Sequence, residues 1–120
     1  MRAKDALGRQ GEDVAESYLL DQGFTVVERN WRCEHGEIDL VGIDGRDTVF
    51  VEVKTRSSTA FGHPFEAITD AKMARLRRLA AAWCDAQTGP RPQVIRIDAV
   101  SVLIRDGALP FVEHLRGVFR

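Results

Sequence analysis

Residues 38–55, IDLVGIDGRDTVFVEVKT, constrain the fold more than any other part of the chain. Two runs rich in Val, Ile and Leu flank DGRD at 44–47, and its Asp-Gly step signals a tight hairpin. Residues 38–43 and 48–55 therefore read as paired antiparallel strands. Side chains alternate across a strand, so Val49, Val51 and Val53 share one face, and Phe50, Glu52 and Lys54 share the other. The first face is plain core. The second begins apolar and becomes charged.

The hairpin register decides what that charge meets. A two-residue loop at Gly45-Arg46, or a four-residue loop at 44–47, sets Ile43 opposite Thr48 and hence Asp39 opposite Glu52. A loop at Asp44-Gly45 sets Glu37 opposite Glu52 and Asp39 opposite Phe50 instead. Each register gathers carboxylates on the charged face or close to it. Opposed carboxylates repel, and burial raises the cost of each charge. A cation between them removes that cost. Hard oxygen ligands suit Mg²⁺ or Mn²⁺, and the Val53 carbonyl offers a further oxygen. Lys54 would then offset negative charge in a transition state or position a water. The pattern Asp-x12-Glu-x-Lys fits phosphodiester hydrolysis. The plainer alternative is a Glu52–Lys54 ion pair on a solvated sheet, which contributes little. Against it, the valine-rich strand reads as central, where exposed charge is less expected.

The rest of the chain supplies further elements. Residues 4–22 form an amphipathic helix with Leu7, Gly11, Val14 and Tyr18 on one side and Ala15, Leu19 and Gln22 beside them. Gly23 caps it and 24–29 is a strand. Glu12 falls at the edge of the buried stripe, either a surface glutamate or a group that reaches the metal. Residues 57–66 are a loop, in which His63 is incidental and Phe61 and Phe65 pin the chain or, as the alternative, stack on bases. A second helix starts at Thr69 or Asp70 and runs to about 87, with Leu76, Leu79, Ala80 and Trp83 on its apolar face. Lys72 shares that face, and Arg75, Arg77 and Arg78 follow. They are a solvated surface or a phosphate-contacting strip, to which Arg56 at the end of the third strand adds a cation. After TGPRP at 88–92, residues 94–104 are a fourth strand and 109–115 an edge strand carrying Pro110. Helix, three strands, helix and one or two strands make an α/β fold, a mixed central sheet flanked by helices in one domain of 120 residues.

Composition limits the function classes. The net charge of −1 excludes wholesale basic binding, so a nucleic-acid site must be local. Cys33 and Cys84 form neither a disulfide framework nor a zinc set, and Cys33-Glu34-His35 lacks the further ligands that zinc needs. No signal peptide and no membrane-length apolar run is read, so the expectation is a soluble, cytoplasmic protein with no membrane partner.

With these residues in place, the chain resembles the YraN family of small bacterial predicted endonucleases. The matching stretches are GRQGEDVAESYL, GF with RNWRC, HGEIDLV, VFVEVKTR, FGHPFEAI with DAKMARL, RIDAV and EHLRGVF, which together cover nearly the whole chain. The family is similar to archaeal Holliday-junction resolvases in the PD-(D/E)XK nuclease superfamily, whose restriction-endonuclease-like core is αβββαβ. The resemblance implies a Mg²⁺- or Mn²⁺-dependent nuclease acting on DNA, including branched DNA. It makes Asp39 the metal-binding aspartate, Glu52 and Lys54 the E-x-K pair, Glu12 the acid of the first helix and Lys72 the polar residue of the second. Ile38 stands where a proline often precedes the aspartate. A homodimer is implied by the resolvases, with the C-terminal edge strand as one face. The rival readings are a nucleic-acid-binding module without turnover and a structural or regulatory partner protein.

Overall fold

In the computed structural model, residues 5–60 and 62–118 are described, so Phe61 and the first residue of the expected helix lie outside them. Helix α1 (Ala6–Asp21) starts where the Asp5 carboxylate accepts the Gly8 N–H at 2.7 Å. It stops at Gly23, whose φ of 94° suits a residue without Cβ. Strands β1 (Thr25–Cys33), β2 (Gly36–Asp44) and β3 (Asp47–Arg56) follow, then a short 3-10 turn (Pro64–Ala67). Helix α2 (Asp70–Ala86) begins at Thr69, whose hydroxyl accepts the Lys72 N–H at 3.2 Å. Strands β4 (Val94–Leu103) and β5 (Phe111–Leu115) complete the chain's elements.

One sheet carries all five strands in the order β1-β2-β3-β4-β5, and β3–β4 is its parallel pair. The crossover between them contains α2, as a parallel connection requires. Helix α1 packs on one face with Leu40, Val49, Val51, Val100 and Val102. Helix α2 packs on the other with Ile38, Val41, Phe50 and Ile97. The expected mixed α/β sheet flanked by helices is therefore present, and it is compatible with a restriction-endonuclease-like core. No helix among the described residues is long and apolar enough to cross a membrane.

Of the two registers the sequence leaves open, the hairpin takes the one with Ile43 opposite Thr48 and Asp44 opposite Asp47. Gly45, with φ of 61°, occupies the first loop position, as in a type II′ turn. The first strand is longer than the sequence suggests, because β1 runs on to Cys33. A bulge between Val26 and Glu28 and the left-handed backbone of Asn30, φ 57°, interrupt its alternation, so period two could not reveal its length. The edge strand starts at Phe111, beyond Pro110, which has no N–H to give a ladder.

Candidate functional site

Glu12, Glu37 and Asp39 each place a carboxylate oxygen within 4.8 Å of the others'. Three local features bring them together. Gly11 lets α1 approach β3 so closely that a Cβ there would lie 1.9 Å from Thr55 Oγ1, and Glu12 follows Gly11. Glu37 and Asp39 are two residues apart on β2. Finally, the facing of the strands changes at Asp39. Leu40 packs toward α1, whereas Ile38 and Val41 both pack toward α2, so strict alternation skips a step between Ile38 and Leu40. Asn30 stands level with Asp39, between the pairs Arg29–Leu40 and Trp31–Ile38. There β1 also skips, since Arg29 reaches the acids of α1 and Trp31 packs toward α2. The two strands turn together, and Asp39 swings toward α1.

Beyond Leu40–Val51, the last ladder pair of β2 and β3, Asp39 Oδ2 accepts the Val53 N–H at 2.8 Å. That bond fixes the carboxylate at the mouth of the strand pair. Glu12 is 2% exposed and Asp39 6%. Arginines on β1 temper the charge. Arg29 Nε lies 3.6 Å from Glu12 Oε1, and its Nη atoms pair with Asp13 at 2.7 Å and Glu16 at 3.0 Å. Burial pulls the Arg29 guanidinium down, but the bonds to Asp13 and Glu16 and the charges of Asp13 and Glu12 raise it overall. Arg32 Nε pairs with Glu37 at 2.7 Å.

Glu52 stands outside this group. It shares the α2 face with Phe50, and its carboxylate lies 3.2 Å from Lys54 Nζ and 4.0 Å from Arg75 Nη2. The expected opposition of Asp39 and Glu52 is thus relaxed, because the step in β2 carries Asp39 to the other side. Val53 lies between the two sets, with its side chain toward α1. Lys72, in the first turn of α2, and Arg78, on its exposed side, bond to neither set among the described residues. Arg56 is half-buried and donates to the Gly62 carbonyl. His63, expected to be incidental, braces the loop: Nδ1 accepts the Phe65 N–H at 3.1 Å and Nε2 meets Glu113 at 2.8 Å. The sequence offers Glu37 only as a register partner of Glu52. Its spacing of two from Asp39 was the signal that they share a side, whereas nothing local pointed to Arg29 and Arg32.

A family model described as "Uncharacterised protein family UPF0102" matches residues 11–102, a span that includes Glu12, Asp39, Glu52, Lys54 and Arg75. A UPF0102 protein of Arthrobacter sp. (strain FB24) is 57% identical over 118 residues, covering 98% of this chain and 99% of its own. One from Beutenbergia cavernae is 59% identical, with the same coverage of 98% and 99%. One from Streptomyces griseus is 52% identical, again over 98% and 99%.

Proposed function

We propose that this chain, which belongs to the uncharacterised protein family UPF0102, the YraN-like group its motifs resemble, is a metal-dependent endonuclease that hydrolyses DNA phosphodiester bonds, branched DNA included. The observation that carries the reading is the convergence of Glu12, Glu37 and Asp39 within 4.8 Å between α1 and β2, with Glu12 and Asp39 buried. Hard oxygen donors gathered out of water fit Mg²⁺ or Mn²⁺, which offset their mutual repulsion. Asp39, Glu12 and Glu37 would hold the ion, with the Val53 carbonyl as a further donor, while Glu52 stays with Lys54 and Arg75. When bound, it supplies a more acidic water and a polarised phosphate.

The chain's own groups do the rest. The Val53 N–H holds Asp39 in place. Lys54, beside Glu52 at 3.2 Å, brings a positive charge to the phosphate oxygens as charge grows there. Arg75, Lys72, Arg78 and Arg56 contact the strand's phosphates, which positions it without reading bases. The protein acts in the cytoplasm, and two copies joined along the open edge of β5 would present two sites to a junction.

One observation favours a second reading, binding without turnover. Glu52 is engaged by Lys54 and Arg75 instead of facing the other acids. Plasmid, single-stranded and four-way-junction DNA, offered with Mg²⁺ or Mn²⁺, separate the two. Cleavage of any of them supports the endonuclease, and tight binding with every strand left intact supports the module.

A further inference from the structure

A cavity of about 280 Å³ opens beside the start of α1, lined by Leu7, Arg56, Ser57, Ser58, Gly62 and Pro64. Arg56 is its only charged wall, and no carboxylate lines it among the described residues. The state of that guanidinium is unusual. Nη1 donates to the Gly62 carbonyl, but Nε is buried and has no hydrogen-bond partner. Arg56 also makes no ion pair with a carboxylate among the described residues, unlike Arg29, Arg32, Arg75, Arg91, Arg96 and Arg116. A half-buried cation without a carboxylate partner is costly until an anion answers its charge. Ser58 Oγ accepts the Ala60 N–H at 3.4 Å, which leaves its own hydrogen to donate. The Ser57 hydroxyl is beside it in the wall.

We propose that this cavity is a phosphate site, with the Arg56 guanidinium and the Ser57 and Ser58 hydroxyls donating to the phosphate oxygens. Guanidinium and hydroxyl donors around one space match a tetrahedral oxyanion with several acceptors. The site's position names the source as a phosphate of the nucleic-acid strand, and that part rests on the endonuclease reading. Gly11 stacks on Thr55, and Glu12 and Arg56 are the next residues of α1 and β3, so the cavity lies on the Glu12 side of the acidic cluster. Leu7 precedes Glu12 by five residues, about 7.5 Å along α1. A phosphate held here would therefore be a near neighbour, along the strand, of one at the acids. The cavity would thus grip the strand beside the bond to be cut and set which bond that is.

The test uses the full-length protein without divalent metal, so that it does not depend on cleavage. Arginine Nε–H resonances are followed by ¹H–¹⁵N NMR while inorganic phosphate, and separately a short single-stranded oligonucleotide, is added. The expected result is a saturable shift of the Arg56 Nε–H with both. Arg56→Gln should weaken oligonucleotide binding by about tenfold and lower the salt slope by about one. A shift with inorganic phosphate alone keeps the phosphate site and assigns it to small phosphorylated molecules. An Arg56 resonance unmoved by either, in wild-type protein, overturns the proposal whatever the protein cleaves. Ser57→Ala with Ser58→Ala, which leaves the guanidinium in place, should weaken phosphate binding too, and unchanged affinity there overturns the hydroxyls' part.

Discussion

Asp39 accepts the Val53 N–H at 2.8 Å while sharing a confined space with Glu12 and Glu37, so its charge is costly and its oxygen is needed. Asp39→Asn separates these demands, because the amide oxygen still accepts from Val53 and the charge is gone. Without metal, the variant should melt no lower than wild type. With Mn²⁺ or Mg²⁺ at about 100 times its dissociation constant, wild type should gain about 2.7 kcal/mol and the variant far less. Thermal denaturation with and without the ion checks this, and equal gains would remove Asp39 from the ligand set. Asp98, 0% exposed, poses the opposite case of a charge already answered. Burial pushes its carboxyl up, but bonds from His114, Arg96 and the Gly117 N–H, with the charge of Arg96, bring it below the ordinary range. Because the folded value lies below the unfolded one, the stabilisation is complete above about pH 4 and is lost as pH falls through the depressed value. Asp98→Asn should cost about 3 kcal/mol at neutral pH and flatten the acid limb, as measured by urea unfolding across pH.

At the scale of elements, the approach of α1 to β3 depends on Gly11. Gly11→Ala would drive a Cβ into Thr55, lift the helix and carry Glu12 away from Asp39. The expected loss is about 1–3 kcal/mol of stability, together with the metal-dependent gain. Thr55→Gly removes the obstructing side chain, so a double-mutant cycle should show strong coupling between the two positions. Additivity would mean that the helix seats by other contacts. The hairpin and its register were legible because Asp-Gly chemistry and alternation are local, and the capping residues Thr69 and Gly23 were legible for the same reason. The change of facing at Asn30 and Asp39 was not. Period-two reading assumes a regular strand, and neither residue announces that the alternation slips there. That slip is why Glu37 joins Asp39 near α1 while Glu52 turns toward Lys54 and Arg75.

For the whole molecule, the C-terminal segment acts as a clasp across the sheet. His114 Nε2 and the Gly117 N–H meet Asp98 at 2.8 and 2.9 Å, His114 Nδ1 meets the Tyr18 hydroxyl at 3.1 Å, and the Val118 N–H reaches the Ile97 carbonyl at 2.8 Å. RIDAV and EHLRGVF could be quoted from the sequence as separate motifs, but their physical link spans 16–19 residues and only the fold reveals it. A chain ending at residue 108 should therefore bind a hydrophobic dye and lose cooperative unfolding, whereas a sharp native transition would mean that β5 is dispensable. The same frame gathers the acids of α1 and β2 on one side of the sheet and sets Lys54 beside Glu52 on the other, and the central claim is that this end of the sheet cuts DNA when Mg²⁺ or Mn²⁺ is present. The most direct measurement is strand cleavage of a four-way junction, with plasmid and single-stranded DNA beside it, by wild type, Asp39→Asn and Lys54→Ala. The account predicts metal-dependent cleavage by wild type that falls at least about 100-fold in each variant. Cleavage that survives both substitutions, or intact DNA on every substrate with either metal, would contradict it.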